Sequence, residues 1–356
     1  MYGINAKTFE QIALSRLPEL QVASGLFRAT ARIEGVEDEG AAPTTLRAGV
    51  VVLLGLLRAD EMELEHPFRT GALRTKVLGD LSGPDVTPGD LGLALWAESR
   101  ADGGAVSEIH SLLQRRVNKD FDSVQLEDLA WMVSGLTETS VRFGSEGGLG
   151  AMLDDTARAL FERVVEEGGL VEDVHRRRRG HVTPVGSQFH ALSSLCQLKR
   201  AGYGEMVGDA AQNLATALGR LQRADGAWPG LVDPKRGEAV AFYPVLTVTQ
   251  VSHAVRALRY AASQGLDGDF ESSITAGLAW ANGQNALSFD LIHESEARLD
   301  RGIVPRKEPG AVQRGFSSAT RRLRGGLQDP DSSQLILDPA VSSEDLGWVL
   351  EAWAGR

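Results

Sequence analysis

Helix-length segments with apolar residues three and four positions apart follow one another along nearly the whole chain. The periodicity predicts helices over 6–18, 44–62, 70–80, 87–99, 104–116, 124–137, 148–167, 184–202, 205–222, 242–264, 269–282, 312–324 and 343–354. In Leu153, Ala157, Leu160, Phe161 and Val164 the apolar stripe is continuous, while Asp154, Asp155, Arg158 and Arg163 fall mostly elsewhere. Glycine, 40 of 356 residues, supplies frequent helix stops. Strand-like alternation is scarce, with short candidates at Gly25–Thr30 and Ser332–Leu337.

About a dozen helices of similar length, broken by Gly-rich loops, point to repeated helical hairpins. A closed α/α toroid of about six hairpins and an open solenoid both fit. No repeat signature recurs at solenoid spacing, so the all-α, single-domain α/α toroid over residues 1–356 is the expected fold. No linker divides the chain. The acidic stretch Glu34–Ala42 lies too near the N-terminus to separate two domains, and 284–311 reads as a long insertion or rim loop.

The formal net charge of -11 argues against nucleic-acid binding, which needs clustered Lys and Arg. The single cysteine, Cys196, excludes an intrachain disulfide and a multi-cysteine zinc site, and its apolar surroundings predict a buried small hydrophobe. The most apolar stretch, Ala48–Leu57, is too short to span a bilayer, and no signal peptide is visible. The expectation is a cytoplasmic protein without a membrane span. No Gly-rich phosphate loop, dinucleotide fingerprint or metalloprotease motif occurs, so neither a cofactor nor a metal is expected. Asp154-Asp155 lacks the further aspartate of a magnesium–diphosphate motif and reads as an exposed helical pair.

Leu221–Tyr260 is the most informative stretch. A loop punctuated by Gly and Pro carries Asp225, Trp228, Asp233 and Lys235, and a helix is expected to begin near Phe242-Tyr243-Pro244. On that helix Tyr243, Leu246, Gln250, His253, Ala257 and Tyr260 share one side, a mixture suited to a cavity wall. Near 184–200, Ser187, His190 and Ser194 form a polar stripe flanked by Gln188. In a toroid whose inner helices face a central funnel, Gln188, His190, Gln250 and His253 are expected to converge. The run Arg176–Arg179 beside His175 and His181 is the strongest basic cluster, and Arg179 is a candidate anion ligand at one rim.

Gln222, Gly226 and Trp228 resemble the Gln/Trp motif of the squalene-hopene and oxidosqualene cyclases, which clasps toroid hairpins. A longer resemblance covers roughly residues 150–356. Asp225-Gly226-Ala227-Trp228-Pro229, Asp233, Gly237, Tyr243-Pro244-Val245 and Gln250 look like an uncharacterised α/α-toroid family encoded among bacterial polysaccharide-biosynthesis genes. Gly277-Leu278-Ala279-Trp280, Asn285-Ala286-Leu287 and Leu346-Gly347-Trp348-Val349-Leu350 extend it. Two departures stand out: Thr249 replaces a family histidine before Gln250, and Ser342-Ser343-Glu344-Asp345 replaces an Arg-Pro-Tyr-His run.

The resemblance implies a carbohydrate-acting toroid of glycan biosynthesis that takes a small-molecule or glycan substrate. Its expected catalytic residues are His253, Tyr243 and Asp233, using His/Tyr acid–base chemistry. The expected binding residues are Asp225, Trp228, Lys235, Gln250, Gln188, His190 and Arg179. A lyase, an epimerase or isomerase, and a hydrolase all remain open as reaction types. An isoprenoid cyclase or prenyltransferase is the first alternative, disfavoured by an aromatic content of only 6%. A non-catalytic toroid binding a protein partner is the second.

Overall fold

The computed structural model describes residues 5–32, 44–118, 120–173, 182–306 and 331–356. Twelve α-helices are present among them. In chain order they are α1 (Ala6–Leu20), α2 (Leu46–Glu61), α3 (Thr70–Asp80), α4 (Pro88–Arg100), α5 (Val106–Val117) and α6 (Leu126–Phe143). Then come α7 (Leu149–Phe161), α8 (Val185–Arg200), α9 (Glu205–Leu221), α10 (Ala254–Ser263), α11 (Phe270–Ala281) and α12 (Ser343–Trp353). A π-helical turn over Thr249–His253 leads directly into α10.

The even-numbered helices form a closed ring. α2 packs on α4, α4 on α6, α6 on α8, α8 on α10, the π-turn before α10 on α12, and α12 back on α2. Each odd helix lies outside against a ring member: α3 on α2, α5 on α4, α7 on α6, α9 on α8, α11 on α10 and α1 on α12. This is the expected all-α toroid of six hairpins. Burial follows the same division. Ring helices are apolar on nearly every side, as in Val50–Leu54 and Leu126–Leu136, because both faces meet protein. Outer helices bury one stripe, such as Val207, Ala210, Leu214 and Leu218 of α9.

Glycine sets the spacing at two ring seams. A Cβ on Gly135 of α6 would lie 1.9 Å from the Gly92 carbonyl oxygen of α4, and one on Gly55 of α2 would lie 2.5 Å from the Gly347 carbonyl oxygen of α12. Backbones meet there with no room for a side chain. Phe9 stacks on Trp353, with centroids 4.6 Å apart, and ties the first hairpin partner to the last ring helix.

Short antiparallel strands decorate the loops. β1 (Thr30–Arg32) pairs with a strand just before α12, Ala340–Ser342. β2 (Thr183–Pro184), β3 (Leu231–Asp233) and β4 (Glu238–Ala241) form one small sheet. β5 (Val245–Leu246) pairs with β8 (Gly302–Pro305), which pairs with β9 (Leu335–Asp338). β6 (Ile292–His293) and β7 (Arg298–Leu299) make a hairpin, and Ala340–Ser342 is β10.

Three expectations need correction. The helix expected from 242 begins only at Thr247, because Val245 and Leu246 give their backbone to β8. Tyr243 and Pro244 therefore precede the helix. The stretch 284–306 is not structureless, since β6, β7 and β8 organise it. The candidate strand at 25–30 contributes only its last residue to β1, and the helix expected at 312–324 lies outside the described residues.

Candidate active site at the centre of the ring

Functional groups gather where the first turns of the ring helices meet. Arg47, second residue of α2, donates to Asp90 of α4 at 2.8 Å and to Asp128 of α6 at 3.2 Å. Thr87 caps α4 reciprocally with Asp90 and also donates to Asp128 at 3.2 Å. Acidic residues in these first turns suit the positive ends of the helix dipoles. Desolvation, together with the neighbouring Asp90 charge and against the pull of Arg47, raises the Asp128 carboxyl to about 6. Across the ring, partial burial and Arg47 act in opposite senses on Glu344, and burial prevails, so its carboxyl is raised.

One turn deeper lie His190 of α8, His253 at the end of the π-turn, Trp131 of α6 and Trp348 of α12. The imidazole rings of His190 and His253 have centroids 4.3 Å apart. Trp131 meets His190 edge-on at 5.3 Å, Trp348 lies 5.0 Å from His190 and 5.6 Å from His253, and the two indoles stack at 6.0 Å. Below them Arg256 of α10 places its guanidinium 4.6 Å from the Trp348 ring and 5.1 Å from the Trp96 ring.

The two histidines are not equivalent. Arg256 Nη2 lies 2.9 Å from His190 Nδ1. A guanidinium only donates, so Nδ1 accepts and the proton of neutral His190 sits on Nε2. That Nε2 points toward Glu127 of α6, 3.9 Å away and too far for a hydrogen bond. Both ring nitrogens of His253 are buried without a protein partner. Desolvation holds His253 down to about 3, with Arg256 adding to the effect. His190 lies well below the usual histidine range for the same reason, reinforced by His253, Arg256 and Arg47. Both rings are neutral at physiological pH.

The π-turn explains the geometry of His253. An i→i+5 turn advances the chain less than an α-turn does, so Gln250 and His253 do not share a face as straight helical spacing predicts. Gln250 accepts from the Trp228 amide at 3.0 Å, on the outer side of the ring. Gln188 does the same work on the preceding hairpin: it accepts from the Val171 amide at 2.8 Å and donates to the Val171 carbonyl at 2.7 Å. Both glutamines clasp loops and turn away from the ring centre, a correction to the expected convergence of four residues. His190 and His253 alone of that set come together.

The remaining candidates sit in the 222–243 loop and its sheet. Trp228 is 1% exposed, packs edge-on against Phe189 and donates from Nε1 to the Leu218 carbonyl at 2.9 Å, so it holds the hairpin instead of offering a stacking face. Gln222 donates to the Gly226 and Ser273 carbonyls, completing that clasp. Asp225 pairs with Arg223 and accepts from the Ala227 amide. Asp233 closes the β3–β4 turn through the Lys235 amide at 3.0 Å, and Lys235 itself pairs with Glu172 at 3.4 Å. Tyr243 is buried in the core. Gln222, Asp225, Trp228, Asp233 and Lys235 make no hydrogen bond or ion pair with the histidine pair among the described residues, and Arg179 lies outside them. Cys196 is buried, its thiol pushed up to about 12 mainly by desolvation.

Sequence reasoning missed Arg47, Glu127, Trp131, Arg256 and Trp348. A signal was present. Glu127-Asp128-Leu129-Ala130-Trp131 and Glu344-Asp345-Leu346-Gly347-Trp348 repeat one five-residue pattern, and Gly89-Asp90-Leu91-Gly92 repeats part of it. Each opens a ring helix. α6 and α12 stand three places apart in either direction around the ring, so the two full copies face each other.

The class of fold is thus a six-hairpin α/α toroid with a histidine pair at its centre. It is similar to a cellobiose 2-epimerase from Bacillus thermoamylovorans B4167, at TM-score 0.66 and 9% identity over 97% of this chain and 98% of that one. It is also similar to an unsaturated glucuronyl hydrolase specific for heparin, at TM-score 0.62 and 12% identity over 98% and 95%. An inactive variant of an α-1,6-mannanase of Salegentibacter sp. HEL1_6, in complex with α-1,6-mannotriose, matches at TM-score 0.59 and 12% identity over 98% of each chain. At these identities the likeness is one of fold. No protein-family model matches the chain, and no curated protein matches it. Among the described residues no helix is long and apolar enough to cross a membrane.

Proposed function

We propose that the chain acts on a carbohydrate and that the chemistry at the ring centre is proton transfer of the epimerase or isomerase type. The observation that carries this is the His190–His253 pair, 4.3 Å apart and differently equipped. His190, held as its Nε2–H form by Arg256, is a donor to a sugar oxygen on which negative charge develops. His253, with both nitrogens open, is the acceptor for a carbon-bound proton next to a carbonyl. Glu127, 3.9 Å from His190 Nε2, comes within proton-transfer distance only after a shift of about 1 Å.

Solved toroids named as epimerase, glycosidase-type hydrolase and polysaccharide lyase support a sugar substrate. Hydrolysis is less favoured here. It asks for two free carboxyl groups about 5–10 Å apart across a cleft, and Asp90 and Asp128 are already engaged by Arg47. An isoprenoid cyclase asks for a continuous aromatic lining, whereas two imidazoles and a guanidinium occupy this centre. The link to glycan biosynthesis rests on the sequence resemblance, which makes nucleotide sugars and their glycan products part of the substrate panel.

The test is hydrogen exchange in deuterium oxide, followed by NMR on reducing mono- and disaccharides, uronic-acid oligosaccharides and nucleotide sugars. We expect deuterium at a carbon adjacent to the carbonyl or anomeric centre. His253→Asn should slow that exchange by about 100-fold or more. Glycosidic cleavage without exchange, or exchange indifferent to both His253→Asn and His190→Asn, would sink the reading.

A further inference from the structure

Arg256 is 4% exposed, yet among the described residues no carboxylate lies within ion-pair distance of it. The acids around it are engaged elsewhere. Glu351, below, takes both terminal nitrogens of Arg100, one of them at 2.7 Å. Glu138 accepts from Gln197 and pairs with Arg200. Asp90 and Asp128 close on Arg47, and Glu127 reaches His190 from the rim. The guanidinium is left with one hydrogen bond, to a neutral imidazole, and two indole faces.

Around the histidine pair the buried polar atoms left over are mostly donors. Arg256 Nε and Nη1, His190 Nε2 and Trp131 Nε1 are all buried without a partner, and all four donate. His253 offers a single acceptor nitrogen against them. A buried cation is costly unless neutralised, and buried donors are costly unless met. A hydroxyl brings a proton of its own to such a site, whereas an oxyanion brings only lone pairs.

We propose that Arg256 anchors an anionic group, and that the ligand of the ring centre is an acidic sugar whose carboxylate neutralises this guanidinium. This deepens the carbohydrate reading by naming the substrate class, but the anion site stands without it. A small inorganic anion offers the same chemistry, so the test separates the two sources.

Thermal unfolding of the whole chain is followed with glucuronate, glucose, inorganic phosphate and chloride, at ionic strength held constant by a bulky organic sulfonate. The expected result is a rise in Tm of about 3 °C at a hundredfold excess of glucuronate over its Kd, and none with glucose. Arg256→Met removes the buried charge and should abolish the rise, while Arg256→Lys keeps a weakened one. If Arg256→Met does not fold, the wild-type and Arg256→Lys comparison still decides. An equal rise with phosphate or chloride keeps the anion site but overturns the sugar acid as its occupant. No rise with any anion, or a rise that survives Arg256→Met, overturns the proposal. An anion response without deuterium exchange sinks only the catalytic reading, and exchange without an anion response sinks only this one.

Discussion

Trp131 and Trp348 occupy the same place in two copies of one five-residue pattern, and they stack across the ring at 6.0 Å with their planes 28° apart. Each indole is 1% exposed, so the pair is buried among the ring helices beneath the rim acids. His190 contacts both rings. The floor is therefore one packed unit contributed by α6, α8, α10 and α12.

Truncating that unit should be expensive. Trp348→Ala is expected to cost about 3–5 kcal/mol, the range for removing a fully buried aromatic. Trp348→Phe, which retains most of the stack, should lose about half as much or less. Urea unfolding midpoints of the three proteins measure this, and an Ala variant within about 1 kcal/mol of wild type would mean the stack is not packed as described.

The tautomer of His190 is directly observable. Its Nε2 should carry the proton and its Nδ1 should accept, giving distinct nitrogen-15 shifts for the two ring atoms. Arg256→Met should release this preference and mix the two forms. Nitrogen-15 NMR with labelled histidine reads the outcome without reference to any substrate. A wild-type Nδ1–H form would contradict the Arg256 contact.

Acid should weaken the fold partly through His253. Its folded pKa, about 3, lies below the unfolded value near 6.5. Between those values the unfolded chain binds the extra proton, so stability falls as pH drops from about 6.5 toward 3. His253→Phe should remove that contribution and lessen the acid loss. Asp128 works in the opposite sense: its folded pKa of about 6 exceeds the unfolded carboxyl value, so stability gained below about 6 is lost as pH rises through it. Asp128→Asn should flatten that limb. Unfolding midpoints from pH 4 to 8 separate the two.

Glycine substitutions should divide by location. Gly135→Ala forces a methyl group into the Gly92 carbonyl and should cost about 2–3 kcal/mol or prevent folding. Gly219→Ala, on the exposed face of α9 with nothing within 4 Å, should stabilise by about 0.5–1 kcal/mol. Gly186 lies between these cases. Its added Cβ would stand 3.5 Å from His253 Nδ1, an ordinary contact, so Gly186→Ala should fold and lower exchange activity by narrowing the space at that nitrogen.

The helical hairpins were legible because each carries its own evidence: α9 repeats its apolar residues at three and four, and α4 announces its start with Thr87, Pro88 and Asp90. The exception is instructive. Tyr243-Pro244-Val245 reads as a helix start, but the pairing partner that claims Val245, Ile303, lies far along the chain, and no local window contains it. For the site, His190 and His253 stood out as titratable groups on apolar helices. Gln188 and Gln250 stood out equally, and their backbone partners at Val171 and Trp228 could not be seen.

By itself the sequence determined that the chain is built of helical hairpins and which residues are able to carry proton chemistry, since these follow from periodicity, capping and side-chain type. Only the tertiary structure decided which polar residues meet. Ring closure sets α6 opposite α12 and brings α8 beside α10, the π-turn swings His253 inward and Gln250 outward, and Arg256 is thereby buried against His190 with no ion pair among the described residues. Those outcomes depend on contacts between distant segments, such as Arg256 with His190 at a separation of 66 and Gln250 with Trp228 at 22, and no local pattern encodes them.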